Sequence, residues 1–237
     1  MQRKHSLSRR RLLSLLPAGL ASVLIPGCGS IERRAEPGAS AVSVPPSDVS
    51  GDADLALPPS SESGEPPPLL TTTPSYGAVD VPSRPRVLGD LAVPLGRRWD
   101  YIVVHHSFSR SGSEAIFDRY HKQKGWLGVG YHFVIGNGHG SGDGATEVTF
   151  RWEEQIHGAH AGVKQYNEHG IGICLVGDFE HGYPTAAQLA SLVSLVNYLQ
   201  ERCRIPTARL MLHRQIKTTK CPGRNFPYYE MVSLLDH

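Results

Sequence analysis

The sequence predicts an α/β domain, with a central mixed β-sheet flanked by helices, that follows a disordered tether. Residues 97–237 contain short β-branched apolar runs of strand length, and helical patterns lie between these runs. Strands that alternate with helices are typical of a mixed α/β fold. Residues 29–96 hold twelve of the eighteen prolines and a single aromatic residue, Tyr76. Such a stretch buries too little apolar surface to offset its chain entropy, so we expect a Pro- and Ser-rich disordered linker there.

Five runs predict the strands of the sheet, because each is short and rich in β-branched or aromatic residues. The glycine-rich residues 136–144, between the second run and the third, predict a flexible hairpin loop. They match a dinucleotide-binding turn poorly, since a strand pattern follows where that turn requires a helix. The five runs are residues 101–104, 131–135, 147–152, 171–176 and 210–212.

Three segments predict helices. Residues 113–123 predict an exposed helix that ends before Gly125, and residues 228–235 predict a closing helix. The clearest helix begins at Thr185, because Gln188 three residues later completes a capping box. One face of this helix is apolar at helical spacing. That face consists of Leu189, Leu192, Val193, Val196, Leu199 and Cys203.

Composition and charge argue against several classes of protein. With 40% hydrophobic and 19% charged residues, the chain is globular rather than fibrous. Its formal net charge of +2 originates at the N-terminus, because residues 1–28 contain five basic residues and no acidic one. Residues 97–237 contain fifteen basic and thirteen acidic residues. This balance is not that of a polybasic protein, and we expect no nucleic-acid partner.

Residues 1–28 predict an export signal. Their basic residues precede the apolar run 12–26, which is shorter than the roughly 20 residues that a membrane-spanning helix needs. Residues 8–13 resemble the twin-arginine export motif of bacteria. We therefore expect export to the bacterial cell envelope.

Residues 24–28 also resemble the lipobox of bacterial lipoproteins, in which the cysteine is acylated, although Pro26 is unusual at its position. The protein is thus expected in the periplasm or as a lipoprotein anchored to a membrane through Cys28. The alternative is that Cys28 is only a small residue near an ordinary cleavage site.

Residues that can bind a metal follow two of the predicted strands. His105 and His106 end the first apolar run. His213 follows the last run, and Cys221 lies eight residues after His213. Strand ends can bring such side chains into one cleft. Imidazole and thiolate are preferred ligands of Zn²⁺, and three protein ligands leave the fourth position to water, as in catalytic sites. The alternative is that these residues are ordinary core residues.

A cysteine nucleophile that acts with a histidine is a second interpretation of Cys221. No papain-like signature surrounds any cysteine of the domain, and no nucleophile elbow surrounds Ser141. Cys174, in a predicted strand, and Cys203, on the apolar helix face, are predicted core residues. The sequence leaves open whether these two form a disulfide.

Several blocks of the domain resemble, in the same order, the type 2 N-acetylmuramoyl-L-alanine amidases. This superfamily includes phage lysozyme-amidases and animal peptidoglycan recognition proteins. The resemblance spans nearly all of residues 99–226. The blocks are residues 101–107, 130–135, 158–161, 166–167, 170–177 and 213–214 with 221–223.

The resemblance implies one bound Zn²⁺ and assigns the residues around it. By matching motif, the metal ligands are His105, His213 and Cys221. His106 is left in a supporting position, and strand alternation agrees that only one of the two adjacent histidines can face the metal. Tyr131 stands where the family has a catalytic tyrosine.

Further site residues follow from the same blocks. Two residues before the cysteine, phage enzymes carry lysine and recognition-protein amidases often carry threonine. Thr219 holds this position and Lys220 adjoins it, so both are candidate catalytic residues. His157 and His160 are expected to line the substrate groove, and Arg151 is a candidate to bind a stem-peptide carboxylate. The alternatives are that His157 is a surface histidine and Arg151 an exposed arginine at a strand end.

The activity that the resemblance implies is the zinc-dependent hydrolysis of the amide between N-acetylmuramic acid and L-alanine, in peptidoglycan or in muropeptides. Several members of the superfamily bind peptidoglycan without cleaving it, and these typically lack the thiolate ligand. A non-catalytic peptidoglycan-binding module is therefore the alternative function. The presence of Cys221 favours the enzyme.

Overall fold

A computed structural model describes residues 74–236 of the 237-residue chain. The predicted export signal, with Cys28, and linker residues 29–73 lie outside the described residues. Among the helices of the described part, none is both long enough and apolar enough to cross a membrane.

A six-stranded sheet forms the centre of the domain. Its strands are β1 (Val87–Leu88), β2 (Tyr101–His106), β3 (Phe133–Ile135), β4 (Thr146–Val148), β5 (Gly170–Leu175) and β6 (Leu210–Leu212). They lie in the order β1-β4-β3-β5-β2-β6. Neighbours are parallel except for the antiparallel pair β3 and β4, so the predicted mixed sheet is confirmed. The glycine-rich residues 136–144 connect that antiparallel pair, as predicted.

Helices cover both faces of this sheet. The longest helix begins at the predicted capping box, in which the Thr185 hydroxyl accepts a hydrogen bond from the Gln188 backbone N–H at 3.0 Å. The Gln188 side-chain oxygen accepts in turn from the Thr185 backbone N–H at 3.2 Å. The described helices are α1 (Glu114–Gln123), α2 (Phe150–Glu153), α3 (Lys164–His169), α4 (Ala186–Cys203), α5 (His213–Ile216) and α6 (Tyr228–Ser233), with a 3₁₀ turn at Thr207–Arg209.

Two hydrophobic clusters lie on opposite faces of the sheet. In β5, Ile173 and Leu175 belong to the larger cluster with residues of α4, whereas Cys174 belongs to a smaller cluster with Phe117 of α1. Successive side chains of a strand point to opposite faces, so α4 covers one face and α1 the other. His105 lies on the α1 face, because it pairs in register with Cys174 between parallel strands. The candidate site therefore lies on the α1 face.

The folded domain begins before residue 97, so the predicted end of the linker is wrong. β1 pairs with β4, the Tyr76 hydroxyl donates to the Pro184 carbonyl oxygen at 2.8 Å, and the Trp152 indole donates to the Leu91 carbonyl oxygen at 3.1 Å. Proline content misled the prediction because a short edge strand tolerates prolines beside it. The apolar residues of this segment that pack against the larger cluster are Tyr76, Val79, Val81, Val87 and Leu91.

The run at residues 147–152 is not one strand, which corrects another prediction. β4 ends at Val148, and the Thr149 hydroxyl caps α2 by accepting from the Arg151 backbone N–H at 3.2 Å. The helical turn buries Trp152 completely, with its ring centroid 5.1 Å from that of Phe133. The β-branched and aromatic residues of this run predicted a strand, but such preferences depend on the tertiary context. Here the helix is favoured because it buries Trp152 against the core.

Candidate metal centre

Three buried side chains converge at the ends of β2 and β6. The in-register pairing of Val104 with Leu212 between these parallel strands places His105 beside His213. Cys221 reaches the same point from the turn that follows α5. The ligand atoms of the two histidines and the cysteine lie within 4.8 Å of one another. The structure therefore brings together the three residues predicted as metal ligands.

The turn that carries Cys221 holds its thiol against the end of β2. The His106 backbone N–H donates to Cys221 Sγ at 3.4 Å, and Sγ lies 3.7 Å from His105 Nδ1. The Thr219 hydroxyl accepts from the Cys221 backbone N–H at 3.1 Å. The Arg214 backbone N–H donates to the Cys221 carbonyl oxygen at 2.9 Å. Donation from an N–H stabilises the thiolate form of a cysteine, which is the form that binds metals.

The donor set has the chemistry of a zinc site. Ligand atoms around a tetrahedral Zn²⁺ lie about 3.5 Å apart, close to the 3.7 Å between His105 Nδ1 and Cys221 Sγ. Burial, followed by the nearby His213 and His160 rings, lowers the pKa of His105 well below its ordinary value. At neutral pH the imidazole therefore carries no charge and offers a lone pair. Two imidazoles and one thiolate thus fit this ion without a change in the protonation of His105.

Tyr131 lies beside this cluster. Its ring centroid is 5.3 Å from that of His105 and 6.4 Å from that of Phe117, and its side chain is buried. Burial raises the pKa of the Cys174 thiol, the Cys221 thiol adds to that shift, and a hydrogen bond from the Tyr131 hydroxyl opposes it. The tyrosine that was predicted to be catalytic therefore adjoins the cluster, with its hydroxyl against a protonated thiol.

A loop behind the cluster contacts both histidines. His105 Nε2 lies 3.0 Å from His160 Nδ1, and His213 Nε2 lies 3.1 Å from the Ala161 carbonyl oxygen. The Asn167 side-chain oxygen accepts from the backbone N–H groups of His160 and Ala161 at 2.9 and 2.8 Å. His160 is fully buried, so the prediction that it lines the substrate groove is wrong. The role of Asn167 was missed, although the block 166–167 that contains it was recognised.

One protein family matches the chain across this whole site. Residues 95–224, more than half of the chain, match the family described as N-acetylmuramoyl-L-alanine amidase. The chain belongs to this family. The matched residues include the three members of the cluster and Tyr131, and the resemblance predicted from the sequence blocks is confirmed.

Relatives of this amidase-family chain occur in phages, animals and bacteria. The endolysin of Klebsiella phage KP32 is 36% identical over 130 residues, which cover 52% of this chain and 79% of the endolysin. Peptidoglycan-recognition protein LB of Drosophila melanogaster is 31% identical over 134 residues, which cover 52% of this chain and about half (54%) of that protein. The solved structure of N-acetylmuramoyl-L-alanine amidase LysC from Clostridium intestinale URNW is 33% identical, with a TM-score of 0.53, and covers 65% of this chain and 97% of LysC.

The two candidate catalytic residues next to Cys221 have different surroundings in this amidase-family chain. Thr219 is half-buried, and its hydroxyl oxygen accepts the Cys221 backbone N–H, which leaves the hydroxyl proton able to donate elsewhere. Lys220 is exposed. Burial acts to raise the pKa of the Glu180 carboxyl, but Arg224 and then Lys220 lower it overall. The charge of Lys220 therefore has an acidic neighbour that is not part of the cluster.

Arg151 is a buried structural residue, so its predicted role in binding a stem-peptide carboxylate is wrong. Its guanidinium donates to the carbonyl oxygens of Val129 and His157 and lies 5.1 Å from the Phe150 ring centroid. Burial lowers the pKa of Arg151 to about 10. The prediction failed because α2 replaces the expected strand and turns this side chain inward. His157 is half-buried, with Nδ1 3.0 Å from the Gly158 carbonyl oxygen, and its place in a groove stays a prediction.

Proposed function

We propose that this chain is a zinc-dependent N-acetylmuramoyl-L-alanine amidase that acts on peptidoglycan or muropeptides. The bond that it hydrolyses is the amide between N-acetylmuramic acid and L-alanine. The observation that carries the proposal is the buried cluster of His105, His213 and Cys221, which lies inside the region that matches the amidase family.

The cluster would hold zinc through two neutral imidazoles and one thiolate. When bound, zinc polarises the scissile carbonyl and lowers the pKa of water toward about 7. His106 supports the thiolate of Cys221 through its backbone N–H. Because the protein supplies three ligands, one position is left for water or substrate.

Tyr131 and Thr219 are the side chains that we assign to the substrate. Tyr131, beside His105, orients the attacking water, or turns its hydroxyl proton from the Cys174 thiol to donate a hydrogen bond to the oxyanion of the tetrahedral intermediate. Thr219 donates a second hydrogen bond to the substrate with its hydroxyl proton. The contact with the Cys221 backbone N–H uses only the hydroxyl oxygen as acceptor. Thr219 carries no charge, and Lys220 is the cation adjacent to it in the chain.

Two other functions are weighed against this one. A peptidoglycan-binding module without catalysis is favoured by the relationship to a peptidoglycan-recognition protein, whereas the presence of Cys221 favours the enzyme. A thiol peptidase is compatible with the 3.7 Å between Cys221 Sγ and His105 Nδ1. These functions differ in their response to chelators, because a thiol peptidase needs no metal.

The decisive experiment incubates the full-length, zinc-loaded chain with a muramyl-tripeptide and identifies the products by mass spectrometry. We expect free peptide that begins at L-alanine, and we expect its loss on treatment with EDTA and in His213→Ala. The matched control is His139→Ala, which removes an exposed histidine of the hairpin loop and should leave cleavage unchanged.

Each of the other outcomes would indicate a different function for this chain. Intact muramyl-tripeptide that co-purifies with the chain would mean a binding module. Cleavage that survives EDTA and is lost with iodoacetamide would mean a thiol peptidase.

We also propose that the protein works in the bacterial envelope, since its substrate lies there and residues 1–28 resemble an export signal. The mass of the mature protein purified from envelope fractions tests this. A lipid mass that disappears in Cys28→Ser would establish the anchor, and an unmodified N-terminus would exclude it.

A further inference from the structure

The far nitrogens of both candidate metal-binding histidines are held by one loop. His160 Nδ1 lies 3.0 Å from His105 Nε2, and the adjacent Ala161 carbonyl oxygen lies 3.1 Å from His213 Nε2. These contacts lie on the side of each ring away from its Nδ1 atom. The loop therefore restricts which nitrogen of each ring can carry the proton.

The hydrogen bonds of His160 determine its tautomer. Its Nε2 atom lies 3.2 Å from the Gly170 carbonyl oxygen, which can only accept, so Nε2 carries the proton. A neutral imidazole has one N–H, so Nδ1 of His160 is an acceptor. Nε2 of His105 must then carry a proton to donate to it. The lone pair of His105 is left on Nδ1, the atom 3.7 Å from Cys221 Sγ.

The same reasoning applies to His213 without an intervening histidine. The Ala161 carbonyl oxygen can only accept, so His213 Nε2 carries the proton and Nδ1 carries the lone pair. Both histidines of the cluster are thus in the tautomer that offers Nδ1.

We propose that His160 is a positioning residue that, together with the Ala161 carbonyl, fixes the tautomer and ring orientation of both metal-binding histidines. The inference rests on the proposed metal site. Groups that hold the second nitrogen of a metal-binding histidine commonly change metal affinity by 10–100-fold when they are removed.

The loop is built so that it cannot shift easily. The Asn167 side-chain oxygen accepts both backbone N–H groups of His160 and Ala161. The Gly158 N–H donates to the Asn167 carbonyl oxygen and the Ala159 N–H to the Gly130 carbonyl oxygen, both at 2.9 Å. The loop is thereby tied to α3 and to the start of the Tyr131 block.

Glycines make room for the His160 ring. A Cβ atom added to Gly172 would lie 2.5 Å from His160 Cδ2, and one added to Gly158 would lie 2.4 Å from the same atom. Any side chain at either position would displace the ring. His160 is therefore seated between two stretches of backbone that leave it one position.

The test compares zinc binding by His160→Leu and His160→Asn in the full-length chain. Leucine and asparagine have the same branched shape, but only asparagine keeps an acceptor, Oδ1, where His160 has Nδ1. Zinc affinity is measured by competition with a chromophoric chelator. We expect a 10–100-fold loss of affinity in His160→Leu and recovery of most of it in His160→Asn. Wild-type affinity in the leucine variant would overturn the inference.

A second measurement reads the tautomer directly and does not depend on a variant that folds. Long-range ¹⁵N–¹H NMR of the metal-free wild-type chain should find the proton of His105, and that of His213, on Nε2. Either proton on Nδ1 would overturn the inference. A wild-type chain that does not bind zinc would instead refute the proposed function, while the tautomers would still decide the present inference.

Discussion

Val104 and Leu212 are paired in register between β2 and β6, so the residues that follow them, His105 and His213, lie side by side. More than a hundred residues separate the two histidines in the chain, and the pairing of β2 with β6 brings them together. The turn after α5 then adds Cys221, whose ligand atom completes a set within 4.8 Å. The proximity of the three candidate metal ligands is thus a consequence of strand order.

Cys221→Ala should abolish zinc binding and amidase activity together, because two imidazoles alone hold Zn²⁺ poorly. The measurement is the zinc content of the purified full-length chain after dialysis, with product formation in parallel. Cys203→Ala is the matched control, since it removes a half-buried thiol that lies outside the cluster. Zinc retained by Cys221→Ala would contradict the assignment of the third ligand.

Tyr131→Phe should lower kcat by about 10²–10³-fold, the effect of removing one hydrogen-bond donor to an oxyanion. Zinc affinity should not change, because the Tyr131 ring contacts His105 but is not a member of the cluster. Steady-state kinetics with a muramyl-tripeptide and chelator competition would measure the two quantities separately. A parallel loss of zinc would mean that Tyr131 acts through His105 and not on the substrate.

Arg151→Ala should destabilise the fold by about 2–4 kcal/mol, because it removes the donor to the buried Val129 carbonyl oxygen and to the half-buried His157 carbonyl oxygen. The free energy of unfolding is measured by urea titration. Arg119→Ala is the control, since Arg119 is exposed on α1 and its loss should change stability little. Unchanged stability combined with a raised KM would restore the substrate-binding role predicted from the sequence.

The metal-free chain should lose stability as the pH falls from about 6.5 toward 4. Burial lowers the pKa of His106 to about 4 and that of His160 to about 3. In this window the unfolded chain binds protons that the folded chain does not, so the free energy of unfolding decreases as the pH falls. Each such histidine contributes about 2 kcal/mol of that loss at pH 5. Urea titrations at several pH values measure the slope, which should be smaller in His160→Asn.

Removal of residues 1–96 should destabilise the domain by about 3–6 kcal/mol, because the segment 74–96 covers apolar surface of the larger cluster. Removal of residues 1–73 alone keeps β1 and the Tyr76 contact with Pro184 and is the matched control, which should melt at a higher temperature than the chain that also lacks residues 74–96. Thermal unfolding of the two truncated chains measures the difference. Equal melting temperatures would mean that the segment adds nothing to the fold.

Local patterns determined much of the fold in advance. The apolar run at β2, the capping box at Thr185 and the apolar face of α4 each depend on neighbours a few residues apart, so the sequence alone predicted them. The family blocks likewise named His105, His213 and Cys221 before their proximity was known. Residue identity and short-range spacing are sufficient for statements of this kind.

Only the tertiary structure decided the roles of the side chains around the candidate metal centre. His160 and Arg151 both carry groups that can bind a substrate, yet each is buried and bonded to the protein itself. Residues 74–96 also took a role that the sequence did not predict. Their prolines predicted a linker, but their few apolar side chains pack against the larger cluster. The burial of a side chain depends on which distant segments pack together. Its hydrogen-bond partners depend on the direction in which the folded backbone points it. Neither quantity is contained in the order of neighbouring residues, so the sequence predicted the candidate metal ligands and the fold determined which residues hold them in place.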